Sequence, residues 1–423
     1  MSTAAPERPP RTTPRGPWRR LTSAARAAAR PVYQWIAAGS LSSSAVGICV
    51  SALALTILGS MMVLSASSVE QISKAQSPYA LFARQVGYAL VGIVGMFAAS
   101  RVPLRWWKSR TLIFWLMGGT IGLLLLVLSP LGVEVYGNRN WLALGPLQFQ
   151  PSEIGKFALV LWAAWGLAKT PQVAVSVRAA LLPSILGFLA TFALVMAGGD
   201  AGTGIVFALI YAGALWFARA PMKIFRWSAI LGVAAAALIV VASPHRIQRV
   251  IGWLVPSRCG ASDACYQSNA GLAALASGSW WGEGLGESRQ KYNYLPEAHN
   301  DYIFAILGEE LGFIGSLVVI ALFTVIALSL ARVILRSSDR FVRIAAGGML
   351  AWYIGQTFVN IGMVTGLLPV IGIPLPFISY GGTSLMMSLF AAGFAMSLTR
   401  TPTHPALELS ALEEPERASR LEN

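Results

Sequence analysis

Long apolar runs, more than any motif, restrict what this chain can become. Residues 45–66, 112–128, 179–197, 204–217, 229–242, 314–331 and 385–398 are almost free of charge. A stretch of about 20 such residues crosses a hydrocarbon core as a helix, and shorter ones do so with flanking residues or tilt. Helix is the form they take because lipid offers the backbone no hydrogen-bond partner. On this criterion about ten spans are expected, near 44–66, 80–100, 111–130, 153–169, 180–198, 203–218, 227–244, 301–332, 343–366 and 379–399. Composition agrees: of 423 residues, 55% are hydrophobic and only 12% charged, against about a quarter charged in soluble chains. The expected fold class is all-α, a polytopic integral membrane protein.

The net charge of +14 is unevenly placed. Arginines crowd the first 43 residues, and basic groups follow every even-numbered span: Arg101 and Lys108, Lys169 and Arg178, Arg219 and Lys223, Arg332 and Arg336, then Arg400. Under the positive-inside rule both termini are therefore cytoplasmic, and residues 244–300 form a large extracytoplasmic loop between the seventh and eighth spans. Residues 1–43, rich in Pro, Ala and Arg, and residues 401–423 are expected as polar cytoplasmic tails flanking a membrane domain at 44–400. A nucleic-acid partner is disfavoured, because the cations are dispersed at span ends with little aromatic interleaving; the partner of such charges is membrane lipid. No repeat of hydropathy relates the two halves, which disfavours an inverted-repeat transporter plan.

Chemically capable side chains concentrate in residues 280–312, where a Gly-rich, charged loop runs into the eighth span. Asp301 opens that span. A carboxylate partly removed from water gains proton affinity, which suits a general base acting on a sugar hydroxyl; the same position also suits a plain helix cap. Glu297 and His299 border it as possible substrate contacts, and Glu309 and Glu310 follow inside the helix. Lys156, at the outer end of the fourth span, is a cation that needs a partner. That partner is either Asp301 or, at helical spacing, Glu153, or else the side chain snorkels to the interface. Arg139, Arg246 and Arg249 are exterior and break the charge rule; guanidinium forks suit phosphate oxygens, while lone outer arginines also meet lipid headgroups. Gly282, Gly284 and Gly286, followed by Ser288 and Lys291, either wrap a pyrophosphate with amides and cations or form a plain turn. His245 and His299 lack metal-ligand spacing. Cys259 and Cys265 sit in an oxidising exterior loop that permits a local disulfide.

Five ordered blocks give these residues a context: 150–156 (QPSEIGK), 280–286 (WWGEGLG), 295–312 (LPEAHNDYIFAILGEELG), 360–368 (NIGMVTGLL) and 375–384 (LPFISYGGTS). Together they resemble the SEDS family (shape, elongation, division and sporulation), its division branch more closely than its elongation branch. The resemblance covers residues 45–399. It implies a glycosyltransferase that polymerises lipid II, the undecaprenyl-pyrophosphate-linked disaccharide-pentapeptide, at the septum of the bacterial inner membrane. It further implies that Asp301 is the base, that Lys156 lies near it, and that Arg139, Arg246, Arg249 or a divalent cation such as Mg or Mn steadies the leaving pyrophosphate. The implied partners are a class B penicillin-binding protein transpeptidase and other divisome membrane proteins. The family's His-Thr-Asp is His299-Asn300-Asp301 here, and its paired cations before a tryptophan are reduced to Arg139-Asn140-Trp141. Three alternatives stand beside this reading: a flippase for the same lipid, a non-catalytic scaffold, and an elongation role. An enzyme gathers its essential groups on one face, whereas alternating access wants them near the midplane.

Overall fold

The computed structural model describes residues 41–135, 138–144, 147–182, 184–241, 247, 250, 253–254, 263–292 and 294–400. The two expected tails, Arg246, Arg249 and the Cys259–Cys265 pairing fall outside the described residues. Helices occupy every stretch where a span is expected. They are α1 Leu41–Ser73, α2 Ala80–Arg101 and α3 Arg110–Leu128, then α4 Pro151–Ala168, α5 Ile185–Ala197, α6 Ala201–Phe217 and α7 Met222–Val241. After α8 Asp263–Ser277 come α9 Ile303–Arg336, α10 Arg340–Val364 and α11 Gly382–Leu398. Among the described residues, Ser42–Ser73, Ala80–Arg101, Arg110–Leu128 and Ile303–Arg336 are long and apolar enough to cross a membrane. Helices α5, α6 and α11 are apolar but shorter.

The bundle closes through small residues where backbones approach. A Cβ on Gly92 of α2 would stand 2.7 Å from Leu389 of α11, and one on Gly59 of α1 2.5 Å from the Ile378 backbone. Without a hydrophobic drive between helices in lipid, such close approach supplies the packing. Trp107, on the short helical turn after α2, meets Phe157 of α4 and Phe390 and Phe394 of α11 edge to face at 5.1–6.1 Å, and Phe157 meets the same two rings at 5.3 Å. At the basic end, Lys108 pairs with Asp339. Asp339 also caps α10 through Phe341 N at 2.9 Å, and Arg340 donates to the Thr170 carbonyl at 3.0 Å.

One element departs from the all-helical expectation, and a further helix lies within the stretch read as a loop. The loop after α3 folds as a three-stranded antiparallel sheet of β1 Gly132–Val135, β2 Asn138–Leu144 and β3 Leu147–Phe149. Gly132 pairs with Leu142 and Leu142 with Phe149. Strands of four, seven and three residues are too short to show an alternating pattern amid glycines. The large loop, in turn, contains α8, whose Gly271 lets it lie against the Tyr302 ring, 2.7 Å from where a Cβ would stand.

Helix α9 is also not one rod. At Gly312 the backbone turns to φ 68°, ψ −167°, a region that favours glycine. The hydrogen bonds lost there are exchanged with the Gly-rich loop. Glu283 N and Gly284 N donate to the carbonyls of Glu309 and Glu310 at 2.9 and 3.1 Å, while Phe313 N and Ile314 N donate to Ser279 O and Trp280 O at 2.9 and 3.3 Å. Main-chain groups buried at such a break need partners, and residues 279–284 supply them. The short segment, residues 303–311, and the long segment after it are thereby both tied to this loop.

Candidate active site at one end of the bundle

Asp301 is half-buried, in the turn just before α9. Its side chain lies beside Gly372: Oδ2 is 3.2 Å from where a Cβ on Gly372 would stand, and Gly372 is left-handed at φ 76°. The main chain around it is held from two directions. His299 O accepts from Tyr380 N at 2.9 Å, Asn300 O from Ser379 Oγ at 2.7 Å, and Asp301 O from Asn360 Nδ2 at 2.8 Å. The turn itself is shaped by Glu297, which is left-handed at φ 54°. Its carboxylate accepts from the Asn300 side chain and its carbonyl from Asn300 N at 3.0 Å. Glu297 thus builds the turn that delivers Asp301.

His299 is buried, with Nδ1 3.3 Å from Glu70 Oε2 at the end of α1. The contact is close in distance but not aligned as a hydrogen bond. Burial pushes the imidazole pKa below its ordinary value, against the opposing pull of Glu70 and Glu297, and Lys74 adds to the lowering. The ring is therefore neutral near pH 7 and packs against Tyr380, 5.7 Å between centroids.

Lys156 makes its ion pair with Glu153, 2.6 Å away, both side chains 2% exposed. Its aligned hydrogen bond, at 3.3 Å, goes to Gln356 Oε1, and its ammonium stands 5.3 Å over the Trp352 ring. So of the two partners open in the sequence, the one within its own helix is the direct one. Its route toward Asp301 runs through Gln356, whose Nε2 holds Pro374 O at 2.7 Å.

Ser288 and Lys291, for which the sequence left a pyrophosphate contact and a plain turn both open, are buried against α9. Ser288 Oγ donates to Glu309 Oε2 at 2.5 Å, and Arg289 N to Glu309 Oε1 at 2.9 Å. Lys291 lies 3.7 Å from Glu310 and donates to Gly286 O, while Ser65 Oγ of α1 closes on Glu310 at 2.5 Å. Two buried carboxylates demand such partners.

A third cluster joins the sheet to the helices. The Asp200 carboxylate caps α6 through Thr203 N at 2.8 Å and accepts from Asn140 Nδ2 and Gln150 Nε2, each at 2.9 Å. Gln150 N donates to Thr383 Oγ1 at 3.1 Å. Exposed Arg139 borders a small cavity with Asn140, Ser152 and Asp200. Gly202 then meets Gly372 O, 3.2 Å from where a Cβ would stand, which brings this cluster to the ledge under Asp301.

Residues 46–404 match the FtsW/RodA/SpoVE family of cell cycle proteins. The chain belongs to this family. Among similar proteins is one named probable peptidoglycan glycosyltransferase FtsW from Mycobacterium tuberculosis, 40% identical over 82% of this chain; the chain spans 66% of that relative's length. Stage V sporulation protein E of Bacillus subtilis is 36% identical over 82% of this chain and 94% of its own. Of solved structures, the rod shape determining protein RodA of Thermus thermophilus superposes with a TM-score of 0.62 at 26% identity, over 84% of this chain and 96% of its own. A chain from a peptidoglycan synthase complex described as coordinating polymerization and crosslinking gives 0.67 at 27%, over 84% and 97%.

Within this FtsW/RodA/SpoVE fold, blocks far apart in sequence converge at one end: 150–156, 295–302, 360 and 372–384. The sequence did not mark Gln356 or Glu70 as parts of this end, and it marked Asn360 and Ser379 only as members of motif blocks, with no role. Asn360 and Gln356 lie at helical spacing on α10, and the groups their Nδ2 and Nε2 atoms hold are main-chain carbonyls that no pattern of side chains reveals. No group of three His, Cys, Asp or Glu side chains able to hold a metal occurs among the described residues.

Proposed function

We propose that this protein is a septal peptidoglycan glycosyltransferase that polymerises lipid II in the inner membrane, beside a class B penicillin-binding protein transpeptidase. It crosses the membrane about ten times with both termini cytoplasmic. Asp301 takes the proton from the acceptor's 4-hydroxyl as that oxygen bonds to the donor's anomeric carbon. The bond from that carbon to pyrophosphate oxygen breaks, and polyprenyl pyrophosphate leaves with its electron pair. Arg139 meets the developing negative charge, and a divalent ion carried in on the pyrophosphate is compatible with this arrangement. The observation that carries the reading is a half-buried carboxylate whose own main chain is held on both sides, at the end where the family's motif blocks gather. The division role rests on the naming of relatives.

Purified full-length protein, with its transpeptidase partner, given labelled lipid II should make glycan polymer, and Asp301→Asn should make none. Absence of polymer from the wild type would end the enzyme reading and favour a flippase or scaffold. Full activity in Asp301→Asn would keep the enzyme and discard the base.

A further inference from the structure

We propose that Asn360 is a positioning residue for Asp301, fixing the peptide that carries the carboxylate to the ledge on which that carboxylate rests. This builds on the reading of Asp301 as the base. Asn360 is fully buried on α10. Its Nδ2 donates to Asp301 O at 2.8 Å and to Ile373 O at 2.6 Å. Both neighbours are carbonyls that can only accept, so the orientation of the amide is set by chemistry, and both of its protons are used.

Asp301 O takes this bond at the helix start, where Ala305 N donates to Tyr302 O at 2.9 Å. The second acceptor, Ile373 O, belongs to the residue after Gly372, against which Asp301 Oδ2 packs. One amide thus ties both walls of the carboxylate's seat. One turn earlier on the same face of α10, Gln356 holds Pro374 O and is itself held by Trp352 Nε1 at 2.9 Å and by Lys156. The buried Glu153–Lys156 pair therefore acts on the same ledge through Gln356.

The test compares wild type, Asn360→Leu and Asn360→Asp in the full-length protein with its transpeptidase partner and lipid II. Leucine keeps bulk and removes both donors; a buried carboxyl supplies one proton when protonated and none when ionised. Expected is a fall in kcat of roughly 10- to 100-fold in Asn360→Leu, because misplacing a reacting group by about 1 Å has that scale of cost. KM for lipid II stays within about threefold of wild type. For Asn360→Asp, the ratio of its kcat to that of wild type should rise as pH falls from 8 to 6. Amide hydrogen exchange at residues 299–302, which needs no turnover, should quicken in Asn360→Leu. Should that variant fail to fold, Asn360→Asp decides through its pH ratio and its exchange. Wild-type kcat in either variant, a rise in KM alone, a pH-independent loss in Asn360→Asp, or unchanged exchange would overturn the proposal. An inactive wild type or an active Asp301→Asn strikes the underlying reading instead, and the exchange result still judges Asn360.

Discussion

The pair Glu153–Lys156 and the imidazole of His299 show how much single residues here depend on their surroundings. Both members of the pair are 2% exposed, so removing one strands a charge in a low-dielectric interior. Lys156→Met alone should destabilise the protein by about 3–5 kcal/mol, while Glu153→Gln together with Lys156→Met should recover most of that. Thermal unfolding in detergent checks both, and a loss of activity in Lys156→Met must be read against it. His299 carries a pH prediction. Its pKa is lowered on folding, so the neutral form is the one the fold favours. Its contribution is fully present above the unfolded value of about 6.5 and is lost as pH falls through the lower folded value. Melting temperature below pH 6.5 should therefore drop more steeply in wild type than in His299→Gln, and parallel curves would contradict this. Asp301 was legible in the sequence because an acid at the mouth of an apolar span is conspicuous. Asn360 was not: it acts across 59 residues on a main-chain oxygen, and nothing about an asparagine inside an apolar helix announces that.

At the scale of elements, hydropathy alone placed the helices, since charge exclusion over about 20 residues is a strong signal. It failed where tertiary contact decides: the short strands after α3, the helix α8 inside the large loop, and the break in α9. Gly312 permits two comparisons. Gly312→Ala puts a Cβ 2.6 Å from Trp280 O at a positive φ, and should cost about 1–3 kcal/mol. Gly118 of α3 has nothing within 4 Å of such a Cβ, so Gly118→Ala should be neutral or stabilise by up to about 1 kcal/mol. Melting temperatures of the two variants in the same detergent separate a demand for glycine from a mere tolerance of it.

Across the whole molecule, the two ends differ in kind. One is a belt of cations tied by Lys108–Asp339 and the bonds of Arg340 to the main chain before α5. The other gathers Glu297, Asp301, Asp200 and the sheet. In a chain with Cys49, Cys259 and Cys265 replaced by serine, a cysteine at exposed Leu285 should react with an impermeant maleimide from outside. One at exposed Trp106 should react only after permeabilisation. The reverse pattern would invert the topology and place Asp301 on the wrong side for lipid II delivered outward.

The joint at Gly312 has a mechanical consequence. Because residues 279–284 bond to the carbonyls of Glu309 and Glu310 and also to the amides of Phe313 and Ile314, the loop that carries the exposed rings of Trp280 and Trp281 clasps both halves of α9, and displacing it would strip partners from the main chain on both sides of the break at once.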